Sequence, residues 1–170
     1  MKLDEFTTAY IEAALWSSTG DYIGDCAMCE NVQVLLTGEA LASSGYSGNV
    51  CQECRDNYPK ETTDMHSPPN LDSWASVSDI APETLARMVA DCAAFQASMG
   101  EHITEENRVH ASEWSATALA GHDFWLTREG HGAGFWDGDW REPAATEMDN
   151  ASKAVGGFDL YVGDDGKIHA

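Results

Sequence analysis

Apolar positions recur at helical spacing from the start of the chain. Leu3, Phe6, Tyr10 and Ala14, widened by Ile11 and Leu15, make a stripe that predicts an amphipathic helix over 3–16. Ser17-Ser18-Thr19-Gly20 is its stop signal. A second helix is predicted over 82–99, where Leu85, Met88, Val89, Cys92, Phe95 and Met99 share one face. Pro82 suits its first position, Glu83 its first turn, and Gly100 its end. A third helix is expected to begin after Thr104, to carry Trp114 and Ala118 inward, and to stop at Gly121. Phe124-Trp125-Leu126 and Phe135-Trp136 then flank a glycine-rich run, which reads as strand–loop–strand. A fourth helix starts at Pro143, with Met148, Ala151 and Val155 on one face and Gly156-Gly157 as its stop. Residues 159–169 read as a hairpin turning at Gly163-Asp164-Asp165-Gly166. The fold class predicted is α+β: about four helices packed with short antiparallel strands or hairpins.

Residues 25–66 break this pattern. Cys26-x-x-Cys29 and Cys51-x-x-Cys54 each have the spacer that lets two sulfurs of one turn face a single metal. Val32, Val34 and Leu36 alternate between the pairs and suggest a short strand. Four thiolates make a closed tetrahedral zinc centre, which holds a fold together and leaves no open coordination position for chemistry. The rival reading is two disulfides. The start, Met1-Lys2-Leu3-Asp4-Glu5, carries no secretory pattern, so reduced thiols and a structural zinc are the expectation. The predicted organisation is one α+β domain from 1–24 and 67–170, interrupted by a zinc-ribbon or treble-clef-like insertion at 25–66. Cys92, among alanines and Phe95, reads as a buried apolar residue.

Charge narrows the partners. The chain has 29 acidic and 9 basic residues, a net −20, spread along its whole length. Such a field repels phosphate backbones, so direct nucleic-acid binding is not expected, despite the cysteine pairs. No apolar run approaches the roughly 18 residues of a membrane span. The acids serve solubility, or they imitate nucleic-acid phosphates and steer the chain toward a basic protein.

Candidate chemistry concentrates in 121–140, which holds His122, Asp123, Trp125, His131, Trp136, Asp137 and Asp139. His and Asp together hold catalytic metals or act as acid and base. The same residues also suit a partner surface, or simply a packed aromatic ribbon with hydrogen-bonded histidines. Glu106, His110 and Glu113 fall at i, i+4 and i+7 and read as a solvated helix face. Asp164-Asp165-Gly166 lacks the alternating oxygen ligands of a calcium loop and reads as a turn.

FTTAYIEAALWSS, IAPETLARMVADCAAFQ, AGHDFWLTREGHGAGFWD and FDLYVGDDGKIHA together resemble a family of small proteins of tailed bacteriophages and prophages. That family joins the first two stretches by a short linker, which implies that the cysteine module is an insertion. It offers no catalytic residues to carry over. The resemblance implies a phage product in the bacterial cytoplasm. Charge and context then favour a non-enzymatic accessory protein that binds and modulates another protein, such as a host defence or nucleic-acid-handling factor. The alternative is a metal-assisted hydrolase centred on His122, Asp123, His131 and Asp137.

Overall fold

The computed structural model describes residues 2–19, 22–24, 34–39, 49–51, 70–110 and 113–170, with the backbone alone for the strands between 22 and 51. Helix α1 (Glu5–Ser17) begins where Asp4 Oδ1 accepts a hydrogen bond from the Thr7 amide at 2.7 Å. Helix α2 (Pro82–Met99) starts on its proline and buries Met88, Cys92 and Phe95 at i, i+4 and i+7. Helix α3 (Ala116–Arg128) is capped by Ser115 Oγ, which accepts from the Ala118 amide. Helix α4 (Ala144–Val155) follows Pro143 and buries Met148 and Ser152. These are the α-helices among the described residues, and with the sheets below they confirm the α+β class.

Two regions differ from the sequence expectation. The third helix does not begin after Thr104: Glu105–Asn107 is a single 3₁₀ turn, the described residues 108–110 and 113–115 are not helical, and the helix starts only at Ala116. Glu106, His110 and Glu113 therefore share no helix face. Glu105 explains the arrangement. Its Oε2 accepts from Arg108 Nη1 at 2.7 Å, while Oε1 accepts from the Ala116 amide at 2.6 Å, tying the turn to the start of α3. The strand–loop–strand is also replaced. Phe124, Trp125 and Leu126 are consecutive helical residues, all buried, and Phe135-Trp136 lies in a turn. A helix enclosed on most sides loses the polar face that marks its period, so its apolar run resembles a strand.

Gly121, expected as a stop, lies inside α3 and serves as a contact. A Cβ at that position would run into the Phe6 carbonyl oxygen of α1, so only glycine lets the two backbones approach this closely. Around the contact Phe95 stacks on Phe124, with centroids 4.2 Å apart, and Phe6 and Phe135 extend the cluster. Arg128 closes its far side. The buried guanidinium donates to Tyr10 Oη at 2.6 Å, Asp91 Oδ2 at 3.0 Å and the Gly156 carbonyl at 2.9 Å. Those hydrogen bonds and the Asp91 charge offset the desolvation of the cation.

Strands β1 (Tyr22–Gly24), β2 (Val34–Glu39) and β3 (Asn49–Cys51) form an antiparallel sheet in that order. Tyr22 pairs with Leu36, and Leu36 with Cys51. Strands β4 (Tyr161–Val162) and β5 (Ile168–His169) make the expected C-terminal hairpin, and the Ala81 amide bonds the Ile168 carbonyl at 2.8 Å. At the other boundary the Leu71 amide donates to the Ser18 carbonyl at 2.9 Å, and Thr19 bridges Asn70. The chain thus leaves and rejoins the helical body at adjacent points.

Candidate binding site: an aromatic cleft along the first helix

A cleft of about 750 Å³ runs along α1. Ile11, Ala13 and Leu15 supply buried apolar side chains to its wall, and Thr8, Glu12 and Trp16 complete the α1 side. Asp72, Ala75, Ser76 and Val77 line it from the connection to α2, Trp114 from just before α3, and His122 from the middle of α3. Trp16, Val77 and Trp114 are 52%, 40% and 45% exposed, and all three belong to this one cleft. Scattered apolar side chains on a surface are ordinary, but several gathered at one concavity mark a contact site. Its charged lining is Glu12 and Asp72, and no lysine or arginine lines it among the described residues.

His122 organises the aromatic end. Its ring lies 6.0 Å from Trp16 at a shallow tilt and 5.1 Å from Trp114 edge to face. Together with Trp114 it also lines a second cavity of about 280 Å³, shared with Arg108, His110, Leu119 and Asp139. The pair is therefore common to the walls of both cavities. His122 Nδ1 is 3.5 Å from Asp123 Oδ1, and the other carboxylate oxygen accepts from Trp140 Nε1 at 2.7 Å. Asp123 is buried, and desolvation pushes its pKa up. The hydrogen bonds from His122 and Trp140 oppose that rise, and the Asp137 charge adds to it.

The predicted His/Asp set divides between different roles. His122 faces the cleft, and Asp123 stands behind it as a buried acceptor. Trp125 is core, its Nε1 donating to Ser17 Oγ at 2.7 Å. His131 is fixed by its main chain to the Leu126 carbonyl, and Asp137 Oδ2 accepts from the Gly134 amide at 3.2 Å. Neither lines the two cavities above. Trp136 is 55% exposed and lies outside both as well. Among the described residues no group of three or more His, Cys, Asp or Glu is placed to hold a metal ion.

Cys26, Cys29 and Cys54 lie outside the described residues, and Cys51 ends β3. Cys92 is fully buried, and desolvation pushes its thiol up to about 12, so it stays protonated and unreactive at neutral pH. Sequence reasoning overlooked Trp16 and Val77, and it misplaced Trp114, expected inward on a helix but lying before α3 and half-exposed. Trp16 left a signal: it falls just off the apolar stripe of α1, where a large aromatic has no core to enter. Val77 and Trp114 sit in irregular segments, where no periodicity tells inside from outside. No helix among the described residues is long and apolar enough to cross a membrane. No family model, curated protein or solved structure matches the chain.

Proposed function

We propose that this chain is a non-enzymatic accessory protein that captures a basic protein partner through the α1 cleft. The observation that carries this reading is the convergence of half-exposed Trp16, Val77 and Trp114 on one acid-lined concavity of a chain with net charge −20. Half-exposed tryptophans lose water on contact and supply the concentrated binding energy of an interface, while the long-range field accelerates encounter with a cationic surface. The field also disfavours nucleic acid as the ligand. A phage product that occludes a nucleic-acid-handling protein of the bacterial host is the setting this reading takes, following the resemblance in its sequence.

The test is affinity capture from the bacterial host with the wild-type chain and a Trp16→Ala/Trp114→Ala variant, each checked for unaltered helical content. The expected result is a basic protein retained at low salt, released at high salt and lost with the double variant. Capture indifferent to both salt and variant sinks the proposal.

A structural zinc centre is the second part of the reading, and sheet topology favours it. In the order β1-β2-β3 with antiparallel pairs, the end of β1, the start of β2 and the end of β3 share one edge of the sheet. In the sequence Cys26 follows the end of β1 by two residues, and Cys51 is the last residue of β3, so both pairs adjoin that end of the sheet along the chain. Cys26, Cys29, Cys51 and Cys54 would hold the ion as thiolates, and the ion would supply fold stability. Elemental analysis of protein purified under reducing conditions is expected to give one zinc per chain, lost in Cys26→Ser/Cys54→Ser. Metal-free protein that retains β-structure at 22–51 rules the centre out.

A further inference from the structure

We infer that the occupant of the α1 cleft is a basic amphipathic helix of the partner, an inference that rests on the protein-binding reading above. The cleft is a groove with a direction. Thr8, Ile11, Glu12, Leu15 and Trp16 recur along one face of α1 over two helical turns, a run of roughly 12 Å at 1.5 Å per residue. Asp72 and Ala75–Val77 flank it from one segment, and Trp114 and His122 from another. A mostly apolar cleft running that length of α1, with two further segments contributing to its lining, accepts a helix laid lengthwise, with side chains at i, i+3/i+4 and i+7 entering it.

Charge selects among occupants. Glu12 and Asp72 line the groove with no base beside them among the described residues, and the whole chain is strongly acidic. A helix whose flanks carry lysine or arginine meets both carboxylates as its apolar face enters. A second copy of this chain brings a further −20 to the contact and is repelled. Trp16 and Trp114 add cation–π acceptors for flanking bases.

Three synthetic peptides test the assignment by calorimetric titration of the full-length protein, with tryptophan emission as a second readout. The first has leucines at i, i+3, i+4 and i+7 with lysines elsewhere. The second has the same composition in scrambled order. The third replaces every lysine of the first with glutamate. The first is expected to bind with a blue shift of tryptophan emission, to weaken with salt, and to lose about tenfold or more on Trp16→Ala. Glu12→Lys is expected to weaken it less, by up to about fivefold. Scrambled peptide binding as tightly as the first overturns the helix assignment while leaving the basic-partner reading intact. Binding of the acidic peptide overturns both. If none of the three binds, the helix assignment fails, and the capture experiment alone judges the broader reading.

Discussion

Asp123 carries the sharpest trade-off between burial and charge at the scale of single residues. It accepts from Trp140 Nε1 and stands beside His122, and burial raises its pKa above that of an unfolded carboxyl. The folded state therefore holds the proton more tightly. This contribution to stability is fully present below the unfolded pKa of about 3.9 and is lost as pH rises through the higher folded value. Asp123→Asn keeps the acceptor and removes the charge. It should match or exceed wild-type stability at pH 7, by up to about 1 kcal/mol, and reduce the loss of stability as pH rises above 4. Asp123→Ala leaves the indole N–H unsatisfied and should cost about 1–3 kcal/mol. Urea unfolding across pH separates the cases, and an Asn variant as damaged as the Ala variant refutes the account. Sequence alone singled out this His/Asp pair. It did not distinguish the solvent-facing member from the buried one, because adjacent helical positions receive their burial from neighbouring helices.

Packing between elements decided what the periodic pattern left open. Helices α1, α2 and α4 were legible because each keeps a polar face, so their apolar stripes follow the 3.6-residue repeat. Helix α3 was not. Residues 123–128 are all buried, including Thr127 and the ion-paired Arg128, and such a run has no polar face to betray its period. Gly121 misled in the same way, since its absent side chain serves the α1 contact and not a helix end. Gly121→Ala tests that contact. Alanine gains up to about 1 kcal/mol of helix propensity, but its methyl group meets backbone, where overpacking costs about 1–3 kcal/mol. A net loss of roughly 1–2 kcal/mol is expected in urea unfolding. A more stable variant would show that α1 and α3 are not in backbone contact.

Over the whole molecule, charge and fold are arranged separately. Two of the nine basic residues, Arg108 and Arg128, are buried in hydrogen-bonded positions, while most of the acids in the described residues are exposed. Each of these buried bases is ion-paired with an acid, Arg108 with Glu105 and Arg128 with Asp91, so the charge left at the surface is mostly acidic. Net charge was readable from the sequence, but the cleft was not, since its rim comes from three segments distant in the chain. The joint between the helical body and the stretch that carries the three-stranded sheet has a consequence of a different kind. Ser18 and Thr19 bond directly to Leu71 and Asn70, so both ends of the intervening stretch are held together by the body itself. The entropy of closing a loop grows only logarithmically with its length, each doubling adding about 0.6 kcal/mol. Such a junction works as a socket: a longer or shorter stretch between residues 19 and 70 would cost the helical body little closure entropy, so long as this junction is kept.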